Sequence, residues 1–310
     1  MRGSRGKICL TGGSGMVGRN ILEHPVANEW IFLAPSRKEL DLTCKAEVRE
    51  YFLSNRPDMV IHAAGHVGGI QANVAAPVEF LIANLDIGRN VIMAAAEAGV
   101  PRLINLGSSC MYPRTAVNPL QEEMILQGEL EPTNEGYALA KIVAARLCDY
   151  LRRERGLDYK TLIPCNLYGR HDKFSPEHSH LIPAIIRKIH MAKSAGTATV
   201  DIWGNGMARR EFMFAGDFAD ALMYALDHFE TMPNLLNIGL GYDYTINDYY
   251  QAAATIIGWG GSFSHDLTKP VGMLQKLVST ERQTTWGWNA KTGLRDGIQA
   301  TYDYYMEVTQ

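Results

Sequence analysis

Cysteine is sparse in this chain: Cys9, Cys44, Cys110, Cys148 and Cys165 are the five in 310 residues. No two form a C-x-x-C pair or stand at zinc-ligand spacing. An odd, scattered set argues against a disulfide framework and a metal site, and predicts free thiols in a reducing, cytoplasmic setting. No apolar run reaches the roughly 18 residues of a membrane span, and the basic start Met1–Gly6 leads directly into a strand, so neither a membrane anchor nor a signal peptide is expected. Charge of one sign is missing too. Thirty Lys+Arg against 33 Asp+Glu leave a net charge of −3, with no basic field to attract nucleic acid. Repeats and low-complexity tracts are absent. The length suits one large domain or two intimately joined ones, with ample core.

Within that length, short apolar runs alternate with helical stretches. Lys7–Leu10, Trp30–Leu33, Met59–Ala64, Leu103–Leu106 and Tyr159–Pro164 read as strands, with helices over about 78–98 and 136–155. This βαβ alternation predicts an α/β fold of Rossmann type, a doubly wound parallel sheet. From about Asn166 the pattern loosens into Gly, Pro, His and aromatic residues, which suggests a smaller, discontinuous substrate domain. The expected division is a nucleotide-binding domain at 1–165 with return segments near 211–238, and a substrate domain at 166–210 and 239–310. Arg209–Phe214 with the helix after Asp217, and the strand Leu235–Ile238, are the stretches expected to return. A final helix begins near Leu294.

After the first strand comes Thr11-Gly12-Gly13-Ser14-Gly15-Met16-Val17-Gly18, then a helix. Strand, glycine turn and helix in this order form a dinucleotide cradle: Gly12 permits the tight turn, Gly15 the approach of a pyrophosphate, and Gly18 close helix–strand packing. The spacing is G-x-x-G-x-x-G. Past the second strand the first charges are Arg37 and Lys38, where an NAD site would present an acid. Arg37 can grip a 2′-phosphate in a bidentate contact, which points to NADP(H); an arginine on a solvated loop is the plainer reading. Asp41, further on, is expected near the adenine edge.

The fourth strand ends in Gly107-Ser108-Ser109-Cys110-Met111-Tyr112-Pro113, followed by Tyr137-Ala138-Leu139-Ala140-Lys141. Among fourteen tyrosines only Tyr137 has a lysine four positions on. On a helix that spacing puts both on one face, and the ammonium is expected to lower the phenol's pKa towards working pH. Hydroxyl, thiol and Tyr/Lys couple together suit reduction of a ketone beside an acidic C–H. Serines that merely cap a loop, a buried hydrophobe at Cys110 and a loop histidine at His180 are the plainer alternatives.

In order, T-G-G-S-G-M-V-G, G-S-S-C-M-Y-P and Y-A-L-A-K resemble the extended short-chain dehydrogenase/reductase superfamily. His66–Ile70, Leu130–Glu135, Pro164–Gly169, Ser179–Ala184 and Arg209–Phe212 narrow the resemblance to the GDP-L-fucose synthase family over nearly the whole chain. That resemblance implies epimerisation of a GDP-linked 4-keto-6-deoxy sugar at C3 and C5, then NADPH-dependent reduction at C4. It implies Ser108, Tyr137 and Lys141 as the reductase triad and Cys110 with His180 as the epimerisation pair. Cofactor contacts are expected from the glycine loop with Met16 and Val17, from Arg37, Asp41 and Ala63, and from Lys141, Asn166 and His180. Substrate contacts are expected from Ser109, Cys110, Asn166, Arg187, Trp203, Arg210 and Lys276. A homodimer is implied, paired through the helices at 78–98 and 136–155.

Four positions depart from the family's pattern: Ser14, Gly136, Lys173 and Ser279. The last two fall in the substrate half and bear on which sugar is taken. A 4-ketoreductase of a related GDP-4-keto-deoxy sugar or heptose, with one epimerisation or none, and a non-catalytic NADP-binding sensor stay open as alternatives. Nucleotide-sugar 4,6-dehydratases fit less well, since they carry carboxylates where Ser109 and Cys110 stand.

Overall fold

The computed structural model describes residues 4–175, 179–269 and 273–309, so Met1–Gly3 of the basic leader lie outside the described residues. Strand and helix alternate through the first half: β1 (Lys7–Thr11), α1 (Met16–Leu22), β2 (Ile31–Leu33), α2 (Lys45–Asn55), β3 (Met59–His62), α3 (Ile70–Ala75), α4 (Pro77–Glu97) and β4 (Arg102–Leu106). Then come α5 (Glu135–Arg155), β5 (Asp158–Pro164), β6 (Asn166–Tyr168), α6 (Leu181–Ser194), β7 (Thr199–Trp203), β8 (Arg209–Arg210) and β9 (Phe212–Phe214). The remainder is α7 (Ala215–Asp227), β10 (Leu235–Ile238), β11 (Tyr244–Thr245), α8 (Ile246–Ile257), β12 (Ser262–Asp266), β13 (Gln275–Lys276), α9 (Glu281–Trp286) and α10 (Leu294–Thr309).

Six strands form one parallel sheet in the order β10-β5-β4-β3-β1-β2. Apart from the edge strand β2, its strands are largely buried on both faces, which is why they read as mostly apolar runs. Along β1, Ile8 and Leu10 face one layer of core with Ile21 of α1 and Phe218 and Leu222 of α7. Cys9 points the other way, into a core with Phe52 of α2 and Val91 and Ile92 of α4. The chain leaves β1 for β2 on one side and crosses to β3 on the other. That reversal opens a crevice at the strands' carboxyl ends, the usual ligand position in such sheets.

Arg209–Phe214 do not join the main sheet, although Met213 packs in its core. β8 pairs with β11 and β13, and β9 pairs with β6, in small sheets of their own. The charged Arg209-Arg210-Glu211 run cannot enter a sheet buried on both faces without stranding its charges, and the return to the main sheet is made by α7 and β10. A separate core joins Ile182, Ile185 and Ile189 of α6 to Tyr249 and Ala253 of α8 and Ile298 of α10.

Candidate active site

At the crevice the glycine turn fits a dinucleotide by elimination of side chains. Gly12 has φ +78°, the left-handed region that favours glycine, and a Cβ there would lie 2.8 Å from the Ala64 amide nitrogen. Ala63, expected at the cofactor, therefore adjoins Gly12 where β3 ends. A Cβ on Gly18 would run into the Gly12 carbonyl oxygen and Gly13 Cα, so α1 packs on the turn only because that side chain is missing. Gly15 is the N-cap of α1, with Met16 and Val17 its first two residues, and no side chain caps the helix. Its open amides and the positive end of its dipole suit a pyrophosphate. Just below, Thr11 Oγ1 and His62 Nδ1 lie 2.7 Å apart in the sheet, and burial pushes His62 down to about 3, so it stays neutral.

Arg37 stands exposed past the end of β2, and among the described residues it makes no hydrogen bond or ion pair. Asp41 is engaged locally. Its carboxylate accepts from the Thr43 amide (3.0 Å) and hydroxyl (2.8 Å), which hold it below the ordinary aspartate range. Those bonds make it a turn-former first.

Ser108 ends β4's extension and caps the one-turn helix Ser109–Met111, its hydroxyl accepting from the Cys110 amide at 3.2 Å. The plain capping role and the site role coincide, because the same hydroxyl lies close enough to the Tyr137 phenol to lower its pKa. Ser109 is buried. Tyr137 and Lys141 lie in the first two turns of α5, with the Lys141 ammonium 5.9 Å from the Tyr137 ring centroid. That ammonium donates to the Leu106 carbonyl at 2.9 Å.

This geometry corrects the expected acidified phenol. Burial, reinforced by Cys110, raises Tyr137 above the ordinary phenol range despite Ser108. Burial lowers Lys141 to about 8. The lysine is engaged with a carbonyl, and the phenol stays protonated, the form a proton donor needs.

Cys110 is half-buried at the same edge. Its Sγ receives the Asn134 amide at 3.2 Å and the Lys276 ammonium at 3.4 Å. Burial pushes the thiol up, but the Lys276 charge and the hydrogen bonds of Ser108, Lys276 and Asn134 outweigh it, and Cys110 ends below the ordinary thiol range. Asn134 was not among the residues singled out by sequence, although it immediately precedes α5 and stands three positions before Tyr137. Its Oδ1 is buried with no partner among the described residues.

His180 is the N-cap of α6 and is depressed by burial and by Lys173. The loop at 65–69 runs between the two halves: a Cβ on Gly65 would lie 3.7 Å from Lys141 Nζ, and one on Gly69 3.8 Å from the Ser179 carbonyl. Arg187, seven residues after His180 on the same helix, has a buried Nε without a partner among the described residues. Asn166 uses one amide N–H to pin β6 to the Glu211 carbonyl at 3.0 Å, which leaves its oxygen and its second N–H for a ligand. Trp203 is 46% exposed at the end of β7, with Lys269 over its ring. Arg210 and Lys276 face each other in register across β8 and β13. Like charges directly opposite are unfavourable without an anion to share.

A model of the NAD dependent epimerase/dehydratase family matches residues 8–239. The chain is 50% identical to the GDP-L-colitose synthase of Yersinia pseudotuberculosis over 97% of its length and 98% of the relative's. To the GDP-L-fucose synthase of Azorhizobium caulinodans it is 48% identical, covering 97% of this chain and 96% of that one. Its fold superposes with a TM-score of 0.90 on a GDP-D-glycero-L-gluco-heptose synthase from Campylobacter jejuni, solved in the presence of NADPH, at 30% identity over 99% of both chains.

Proposed function

The chain belongs to the NAD dependent epimerase/dehydratase family, in the part of it that holds the GDP-L-fucose synthases, and from that premise we propose that it converts GDP-4-keto-6-deoxy-D-mannose to GDP-L-fucose as an NADPH-dependent 3,5-epimerase/4-reductase. The observation that carries this reading is the meeting of two chemistries on one turn. Ser108 lies beside the phenol of Tyr137, and two residues on, the Cys110 sulfur takes the Lys276 ammonium at 3.4 Å and the Asn134 amide at 3.2 Å, which help to hold the thiol below its ordinary range. Ketone reduction alone needs the first pair and has no use for the second. C3 and C5 flank the C4 ketone, so loss of a proton from either gives an enolate whose oxygen Ser108 and Tyr137 can stabilise by hydrogen bonding.

In this reading Cys110 takes the proton and His180 returns one on the opposite face. Tyr137 holds the proton for the C4 oxygen, Lys141 the nicotinamide ribose, and Ser108 the ketone. Burial and Lys173 bias His180 towards its neutral form, and the negative charge of a GDP diphosphate favours the protonated one. Arg187, Arg210 and Lys276 are cations suited to that diphosphate, with Trp203 at the outer edge. Bound NADPH supplies the hydride. Incubation with GDP-4-keto-6-deoxy-D-mannose and NADPH should yield GDP-L-fucose, identified by nuclear magnetic resonance of the purified product; a 4-reduced sugar of unchanged configuration at C3 and C5 would overturn the proposal.

A second reading, a related GDP-4-keto sugar such as a 3,6-dideoxy form, is favoured by the 50% identity to the colitose synthase. The same reaction series, run with both substrates, ranks them by kcat/KM.

Cofactor choice is assigned to Arg37. Arg37→Ala should weaken NADPH binding while sparing NADH, as read by titrating both into wild type and variant. Unchanged selectivity would move the 2′-phosphate contact to Lys38 or the glycine loop.

The proposal extends to the division at 165/166 with a returning segment, supported by the separate apolar cores, and to a cytoplasmic homodimer. No helix among the described residues is long and apolar enough to cross a membrane. Val78 and Ile82 on α4 and Leu139 and Val143 on α5 are apolar, exposed and spaced four apart. Such a stripe is suited to pairing with a second copy. Ile82→Glu with Val143→Glu should leave monomers in sedimentation velocity; a monomeric wild type would dismiss the dimer.

A further inference from the structure

The Lys276–Cys110 contact does more than bring a cation to a phosphate site. We infer that Lys276, aligned with Asn134, is a positioning residue that holds Cys110 as a thiolate before substrate arrives. The inference rests on the reading of Cys110 as the base of the epimerisation and adds what arms it.

Three observations carry it. Lys276 Nζ lies 3.4 Å from Sγ and Asn134 Nδ2 lies 3.2 Å from it, so two donors converge on one sulfur. A thiol offers only weak acceptor capacity, whereas a thiolate matches a cation and an amide N–H. Among the described residues Sγ is the only hydrogen-bond partner of the Lys276 ammonium, and no carboxylate pairs with it.

The second observation is the rigidity of the segment that aims Lys276. Leu277 N donates to Asn118 Oδ1 (2.8 Å), Val278 N to Glu211 Oε2 (2.9 Å) and Ser279 N to the Leu120 carbonyl (2.8 Å). Lys276 itself pairs in β13 with β8. A buried carboxylate and two backbone ladders thus fix the base of a long, flexible side chain. The third is charge: Arg210, opposite Lys276 in register, has Glu131 and Asp243 within electrostatic reach, and Lys276 is left to the sulfur.

The groups facing Cys110 come from each element around it. They are Ser108 from its own turn, Asn134 and Tyr137 from the start of α5, and Lys276 from β13. Cys165 lies behind, within electrostatic reach of Lys276 and Glu211. Only Lys276 in this group is a cation. In the proton step, the C–H bond flanking the ketone breaks, its proton goes to Sγ and its electron pair becomes the enolate. The thiol then gives that proton to water, a loss that the ammonium favours.

Alkylation of Cys110 in the ligand-free full chain tests this without substrate. The rate with iodoacetamide would be followed against pH by peptide mass spectrometry, which separates Cys110 from the other cysteines. Wild type should react well below the ordinary thiol range. Lys276→Met and Lys276→Gln should both move the inflection upward by about one pH unit or more, equivalent to about tenfold less thiolate on the acid side. Lys276→Arg, which keeps the charge, should stay near wild type. NADPH titration of each variant reports an intact fold through a site elsewhere in the crevice, and the glutamine variant serves if the methionine variant fails that control.

Coincident profiles in wild type and in a folded Met or Gln variant would overturn the inference and leave Lys276 a diphosphate contact, seen as a raised KM alone. Failure of the epimerase reading is a separate result: no solvent deuterium in the wild-type product, whatever the alkylation profiles do.

Discussion

Replacing Tyr137 with phenylalanine should cut ketone reduction by about a hundredfold or more, the lower range for loss of a general acid, with NADPH affinity near wild type. The substitution removes one oxygen and little volume, and the ring stays packed at the start of α5. What is lost is the hydroxyl that stands beside Ser108 and is kept protonated by its burial. Single-turnover oxidation of NADPH measures the chemical step, and equilibrium titration measures the cofactor. Near-normal turnover would exclude Tyr137 as donor. A pH dependence accompanies this result. Lys141 is depressed to about 8, so its charge is present below that pH and is lost as pH rises through it. In wild type kcat/KM for reduction should therefore decline on the alkaline side of about 8, and a profile flat through that region would show that the ammonium is not needed.

In deuterated water the product should carry label at both C3 and C5, and Cys110→Ser should abolish that exchange. A serine hydroxyl is far less acidic than a thiol, and no arrangement of Lys276 and Asn134 brings it to an alkoxide near neutral pH. Loss of exchange should again reach about a hundredfold or more. Reduction should persist in the serine variant without inversion, because Ser108, Tyr137 and Lys141 remain intact. A 3-deoxy substrate leaves only C5 to invert, so the labelling pattern also separates the two substrate readings. Wild-type product free of solvent deuterium would remove the epimerase assignment for this substrate and leave the reductase assignment standing.

The strands of the main sheet were legible because parallel strands buried on both faces must be continuous apolar runs; β3, β4 and β5 stand where those runs are. The glycine turn was legible for a related reason: Gly12 and Gly18 occupy places where a Cβ meets backbone, so the constraint is written in residue identity. The strand partners of Arg209–Phe214 were not legible because so short a stretch reads alike in any sheet. Its true partners, β11, β13 and β6, are set by contacts distant in sequence. Asp41 illustrates another limit, since a carboxylate two residues before a threonine can serve its own turn and a ligand alike, and sequence does not separate the two; here one oxygen holds the turn.

By itself the sequence determined the α/β class, the cradle for a dinucleotide, and the residue types for hydride and proton chemistry, since these rest on local spacing and on which side chains are missing. Tertiary structure alone decided the protonation states. Tyr137 and Lys141 are four residues apart on one helix face, yet burial and the Leu106 carbonyl set their charges against the simple expectation. Cys110 and Lys276 are 166 positions apart. No local pattern links them, and only the closure of β13 against β8 brings an ammonium to that sulfur, where low dielectric makes one charge decisive for another.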